Sequence, residues 1–237
     1  MNTASSRKSR KVSSGSAAAP QRILVLDVGG AHVKAKLKGG RDEVKFVSGP
    51  KLTPRAMLEQ LLPLLASKHY DAVSIGIPTP VLHGRVVQDP RNLGKGWKGF
   101  DFEKAFACPV RLINDAAMQA LGSYDGGHML FLGLGTGLGS TMILEGVVQP
   151  LELAHLPFRK KTFEDYVGGR ALQDLGKKKW RANVDETIET LRTALQPDYI
   201  VLGGGNVRHL RKLPPGVRRG DNANAFAGGF RLWQKNA

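Results

Sequence analysis

The 237-residue sequence contains one cysteine, Cys108, so it can form no intrachain disulfide and build no cysteine-cluster zinc site. It contains no apolar run near the ~18 residues that a bilayer-spanning helix needs. Its first 21 residues, MNTASSRKSRKVSSGSAAAPQ, are basic and rich in Ser and Ala but lack the apolar stretch of a secretory signal. They also lack the amphipathic spacing of a mitochondrial presequence, and with nothing to bury they are expected to be disordered. No membrane association is expected, and a cytoplasmic setting fits best. Acidic residues are scarce as well: 20 Asp and Glu face 35 Lys and Arg, a formal charge of +15. That surplus attracts polyanions, whether nucleic acid, nucleotides or polyphosphate; a merely solubilising basic surface is the plain alternative.

What is present is a globular composition, with 41% hydrophobic and 23% charged residues, long enough for one large or two small domains. An apolar run, Ile23 to Leu26, leads to Asp27, the turn Gly29-Gly30, and a strictly alternating segment through Leu37, which is a hairpin pattern. TPRAMLEQLLPLLASKH reads as a helix with Thr53 as N-cap and Pro54 at its first position, kinked or shortened by Pro63. DAVSIGIP, PVRLIND and DYIVLGGG read as buried strands, and AAMQALGSY, TFEDYVGGRALQDLG, VDETIETLRTALQ and NAFAGGFRLW as helical. HMLFLGLGTGLGSTMILEG is a second strand, glycine loop and strand, so a glycine-tipped β-β unit occurs twice. The pattern is α/β, with two related halves meeting between Asp115 and Gly127.

Several residues carry chemistry, each with a plain alternative. The Gly29-Gly30 turn is either an ordinary hairpin or a loop whose bare backbone approaches an anion, with Asp27 beside it for a metal. GLGTGLGS, Gly133 to Ser140, lacks the Gly-Lys-Ser/Thr of a P-loop, and a strand follows where a dinucleotide fingerprint needs a helix. What remains is a tight hairpin lining an oxyanion through its amides and Thr136, or a structural turn. Asp115 stands where a strand hands over to a helix, a place for an N-cap or for a catalytic carboxylate. Glu152 and His155 are spaced to converge on one ligand, although a lone His near apolar residues also suits a core.

The order of these stretches is more specific than any one of them. LDVGGAHVK, GIPTPVLHGRV, INDAAMQALG, LGLGTGLGSTMILEG, LELAH, FEDYVGGRAL and DYIVLGGGN together resemble the ROK (repressor, open reading frame, kinase) family of sugar kinases, nearest its polyphosphate glucokinase-like branch. The resemblance runs from residue 22 onward. It implies an actin-like ATPase (ribonuclease H-like) fold with two α/β lobes, 22–115 and 116–237, around a cleft, the last helix free to pack back on the first lobe. It implies Asp115 as general base toward a hexose hydroxyl, with Asn114, Glu152, His155 and Glu164 binding the sugar. It further implies phosphate or nucleotide contacts from Asp27, Gly29, Gly30, Lys34, Gly135, Thr136, Gly137, Gly203, Gly204 and Gly205, although Lys34 equally suits the wet face of its strand. The expected cofactor is Mg2+ near Asp27, directly or through water, with ATP or polyphosphate as donor and a homodimer allowed.

The sequence departs from the family pattern at four places. LPFRKK replaces the cysteine-bearing zinc segment after His155, so no structural zinc is expected. Ala154 replaces a glycine, Ala31 replaces a hydroxyl residue of the first loop, and Thr79 stands where a glycine is common, putting a side chain near the sugar. Two further readings follow: a sugar- or nucleotide-binding protein without catalysis, and a nucleic-acid binder supported by charge alone. The latter is the weaker, because the N-terminal tail is too short and polar for a helix-turn-helix.

Overall fold

The computed structural model describes residues 20–221 and 223–234. The tail expected to be disordered lies outside the described residues except for Pro20 and Gln21. The first sheet begins with β1 (Ile23–Val28), β2 (His32–Leu37) and β3 (Glu43–Val47), paired antiparallel in sequence order. Helix α1 (Pro54–Leu64) starts where Thr53 accepts the Ala56 amide at 3.1 Å and Pro54 opens the first turn. Pro63 lies in its last turn and the helix stops at Leu64, so the stretch to His69 that the pattern assigned to the helix is not helical. Proline supplies no N–H and crowds the preceding turn, which accounts for the early stop.

Strand β4 (Ala72–Ile77) is buried along all six residues, as its unbroken apolar run predicts for a strand covered on both faces. A short hairpin of β5 (Val81–Leu82) and β6 (Arg85–Val86) and the helix α2 (Phe102–Phe106) lead to β7 (Val110–Asn114). The sheet order is β3-β2-β1-β4-β7, with β4 parallel to both β1 and β7.

Helix α3 (Asp115–Ser123) then leads to β8 (His128–Leu134), β9 (Leu138–Leu144) and β10 (Val147–Leu151), again an antiparallel meander. A hairpin of β11 (Pro157–Phe158) and β12 (Lys161–Thr162), α4 (Phe163–Val167) and α5 (Gly169–Leu195) precede β13 (Tyr199–Gly203) and β14 (Val217–Arg219). The second sheet has the order β10-β9-β8-β13-β14, the same path as the first, with β13 parallel to β8 and β14. The recurrence of the glycine-tipped unit is therefore a recurrence of whole-sheet topology. Gly168 is extended and separates α4 from α5, and Gly176 (φ 73°, ψ 163°) breaks α5 internally.

Helix α3 lies between the two sheets because each offers it a glycine. A Cβ at Gly76 of β4 would meet Met118 and stand 3.3 Å from the Asp115 Cα; one at Gly139 of β9 would stand 2.7 Å from the Ala116 Cβ. The last helix, α6 (Asn224–Arg231), crosses α3 at Gly122 and Gly228, where either added Cβ would collide with the other helix's backbone. It also returns to the first sheet. Gly229 rests on Val25, the Ser74 hydroxyl donates to the Gly229 carbonyl at 2.6 Å, and Trp233 Nε1 donates to Ser74 Oγ at 2.8 Å. Ile23, Val25, Met118, Ala225 and Phe226 form the apolar contact there, in which Phe226 alone contributes about 1.5–3 kcal/mol.

Candidate active site

Asp115 is carried by the first turn of α3, but it does not cap that helix. Asn114 does, its Oδ1 accepting the Ala117 amide at 3.1 Å. Both residue types cap well, and the strand happens to end one residue before Asp115. Asp115 takes backbone amides alone, that of Ala116 at 2.8 Å and its own, and no side-chain donor among the described residues, so the carboxylate keeps acceptor capacity for another group. Burial raises the Asp115 carboxyl from 3.8 to about 7, reinforced by the negative charges of Asp27 and Glu152. A carboxyl so placed is a weak enough acid to hold a proton near neutral pH and basic enough to take one.

Asp27 enters from β1, the strand beside β4. Burial raises its carboxyl to about 6, against the opposing charge of Lys34 and with that of Glu43. Lys34 is the direct cross-strand partner of Asp27 and is half-buried, so it faces the carboxylates rather than open water. Glu152 is held in place by Ser140, which is buried and donates to the Leu151 carbonyl at 2.8 Å while accepting the Leu153 amide at 3.1 Å. His155 closes the short 3-10 turn Leu153–His155 and is exposed, so it is not a core histidine.

The two glycine hairpins have loops of the same three-residue length but close at different places. Gly29 N–H closes the first by donating to the His32 carbonyl at 2.9 Å, and Gly135 N–H closes the second by donating to Gly137 at 3.1 Å. The amides left without a protein acceptor among the described residues are therefore the next ones, Gly30 and Ala31, and Thr136 and Gly137. Ala31 lacks a hydroxyl but presents this amide, and the Ser48 hydroxyl, at 2.6 Å from the Gly29 carbonyl, braces the turn from behind.

The glycines divide by what surrounds them. At Gly203 a side chain would strike the Phe131 ring, and at Gly204 (φ 84°) it would strike the Leu134 backbone, so packing alone requires glycine there. Gly137 is occupied by Glu164, whose Oε2 accepts the Leu138 amide at 3.2 Å. Glu164 thus grips the second hairpin with one oxygen, and its Oε1 has no hydrogen-bond partner among the described residues. Gly135 and Gly205 have no atom within 4 Å of an added Cβ and no positive φ. Nothing in the protein demands glycine at these two positions, and open space adjoins each.

Thr79 does not face this space. It is buried, with Oγ1 donating to the Gln88 carbonyl at 3.0 Å, and its own carbonyl lies 3.4 Å from Asn114 Nδ2. The expectation of a side chain near the sugar is corrected: the hydroxyl is consumed in tying one loop to another. Asn114, in turn, has both ends of its amide engaged within the protein.

Sequence patterns did not single out two further groups. Asp89 accepts the amides of Gly96, Trp97 and Lys98 at 3.0, 2.7 and 3.1 Å, which hold its carboxyl below the usual range and fix the loop that sets Asn92 against Gly30. The signal was DPRNLGKGW, an acid followed by a glycine-rich loop, too common a pattern to select. Arg159, in the segment that lacks zinc ligands, pairs with Glu186 and donates to Asn183 Oδ1 at 3.0 Å while lying 5.1 Å from the ring centres of Phe158 and Tyr166. It pins the loop between His155 and Glu164 to α5. No group of three or more His, Cys, Asp or Glu suited to a metal occurs among the described residues, and no helix among them is long and apolar enough to cross a membrane.

Two sheets of one topology, flanking a helix that presents a carboxylate between two glycine hairpins, define the actin-like ATPase fold in the form seen in ROK sugar kinases. No protein-family model matches the chain. It is similar to the polyphosphate glucokinase of Mycobacterium tuberculosis (strain CDC 1551 / Oshkosh), 26% identical over 212 residues that cover 80% of each protein. Among solved structures it superposes on the inorganic polyphosphate/ATP-glucomannokinase from Arthrobacter sp. strain KM with a TM-score of 0.76, at 22% identity, covering 89% of this chain and 97% of that one. A ROK family glucokinase from Streptomyces griseus, in complex with glucose and AMPPNP, gives 0.72 at 16% identity, covering 90% and 98%. The resemblance read from the ordered motifs thus extends to curated relatives and to the fold.

Proposed function

We propose that this chain is a glucokinase-type phosphotransferase that moves a phosphoryl group from ATP or polyphosphate to the 6-hydroxyl of glucose or a related hexose. The observation that carries this reading is the carboxyl of Asp115, raised to about 7 by burial beside Asp27 and Glu152, on a helix packed between the two sheets whose hairpins keep free amides. Asp115 accepts the proton of the attacking hydroxyl, a contribution of about 10²–10⁴-fold in rate. Glu152 and His155 orient the sugar from the rim, and the amides of Gly30, Ala31, Thr136 and Gly137 receive the charge that develops on the transferred phosphoryl group. Lys34 adds a positive charge on the Asp27 side.

The donor set also suits Mg2+. The charge of Asp27 helps to raise the Asp115 carboxyl, and a divalent cation held by Asp27, directly or through water, would offset that repulsion and neutralise donor phosphates. The free Ala31 amide speaks for catalysis over mere binding, since the position keeps a donor although it lacks a hydroxyl.

The test is a panel of hexoses against ATP and polyphosphate with direct detection of the sugar phosphate. Glucose 6-phosphate should form, and Asp115→Asn should reduce turnover by at least about 10²-fold. Undiminished turnover by that variant would refute the assignment of the base.

A further inference from the structure

Three cations, Lys177, Arg181 and Arg208, gather around His209 beside the donor hairpin. The 3-10 turn Gly205–His209 follows the Gly203–Gly205 loop directly, and Asn206 Nδ2 donates to the Gly135 carbonyl at 2.8 Å, joining this turn to the second hairpin. Two and three residues on, about 4 and about 6 Å further along a 3-10 helix, stand Arg208 and His209. Helix α5 comes alongside: Arg181 Nε donates to the His209 carbonyl at 2.6 Å, and Arg208 Nε lies 3.3 Å from His209 Nε2. Partial burial and the nearby charges of Arg208, Lys177 and Arg181 hold the His209 imidazole below its ordinary pKa.

No carboxylate answers this cluster. The ion pairs among the described residues do not include Lys177, Arg181 or Arg208, and Asp174, the acid nearest in sequence on α5, turns to Arg170 at 3.6 Å. Lys177, Lys178 and Lys179 moreover open the second half of α5 after the break at Gly176, where the helix dipole favours negative charge. In the free protein that is an electrostatic misfit, and an anion removes it.

We propose that Lys177, Arg181 and Arg208 are the distal anchor of a polyphosphate track, holding phosphates that lie beyond those at the Gly135–Gly137 hairpin. The anchor rests on the kinase reading for its donor site. A linear polyphosphate is the polyanion it suits, because the track continues from the donor hairpin through Asn206 and each added phosphate brings a further charge. Single-stranded nucleic acid would call for stacking aromatics. The tryptophan beside the lysines, Trp180, is fully buried, with Nε1 donating to the Val167 carbonyl at 2.8 Å.

The test compares the full wild-type chain with K177Q/R208Q and with the charge-preserving K177R/R208K. Arg181 is left intact because it also braces the turn, and melting temperatures check that both variants fold. Glucose phosphorylation is measured with long-chain polyphosphate, tripolyphosphate and ATP over a salt series. In K177Q/R208Q, KM for the long chain should rise by about tenfold and its log–log salt slope should flatten by about one for each cation removed. KM for tripolyphosphate and ATP should stay within about twofold, and K177R/R208K should resemble wild type. A parallel rise for all three donors, or an unchanged KM and slope for the long chain, overturns the anchor.

Equilibrium binding of labelled long-chain polyphosphate separates the two readings. If no hexose is phosphorylated by any donor, the kinase reading fails, and the anchor stands only if wild type binds the probe more tightly than K177Q/R208Q. Turnover with ATP but no polyphosphate binding overturns the anchor and leaves the kinase reading intact. Tighter binding of single-stranded RNA than of polyphosphate at this patch also overturns it.

Discussion

Replacing Asp115 by Asn should make the protein more stable at alkaline pH while removing its proposed chemistry. Asn keeps the oxygen that accepts the Ala116 amide at 2.8 Å, so the first turn of α3 retains its bond and loses only a charge. Burial, Asp27 and Glu152 carry the carboxyl from 3.8 to about 7. At about 1.4 kcal/mol for each tenfold in proton affinity, the full displacement is about 4 kcal/mol. Asp115 is only partly buried, and solvent screening reduces the usable figure to about 2 kcal/mol. A carboxyl whose folded pKa lies above its unfolded one binds its proton more tightly in the folded state, so folding pays for ionisation. That penalty is complete above about pH 7 and fades as pH falls toward 3.8. At about 2–4 °C per kcal/mol for a chain of this size, the variant should melt about 4–8 °C above wild type near pH 8.5. The gap should narrow steadily as the pH is lowered to about 5. Melting curves of both proteins across that range decide the matter: a variant less stable at every pH, or a gap that ignores pH, refutes the electrostatic account.

The same electrostatics should govern turnover: kcat/KM should rise through a limb near pH 7, where Asp115 ionises, and Glu152→Gln should move that limb to lower pH by removing one of the charges that raise it. A limb that stays put would remove Glu152 from the site. Arg159→Ala should free the loop between His155 and Glu164, raising KM for the sugar by about tenfold to a hundredfold while KM for ATP changes little, with Arg159→Lys intermediate. Gly228→Ala should destabilise by about 3 kcal/mol in a denaturant titration, because its Cβ would collide with the α3 backbone. Gly135→Ala should leave the melting temperature unchanged yet raise KM for the donor, since only a ligand would meet the new methyl group.

Much of the frame was readable because it depends on local periodicity. The alternation of Val33, Ala35 and Leu37, the unbroken apolar run of β4, and Thr53-Pro54 each give their element from a few neighbouring residues. The parts that escaped depend on contacts far apart in sequence. Arg159 meets Glu186 27 residues away, and Asn206 reaches Gly135 over 71. Thr79 was misread for a related reason, because its hydroxyl is claimed by the Gln88 carbonyl of a loop with no periodic signal. The choice between Asn114 and Asp115 as cap turned on a single residue at the end of β7, finer than any pattern of hydrophobicity can resolve.

The return of α6 to the first sheet has a consequence for how the chain is made. Ser74 waits for the carbonyl of Gly229, 155 residues later, and Val25, already met by Met118, is fully covered only when the same glycine arrives. While the chain is being synthesised, the sheet that carries Asp27 emerges early with one face only partly covered by α3, and it is closed only after the second sheet has been translated. The two halves therefore cannot mature one after the other: the earliest strand and the latest helix finish together.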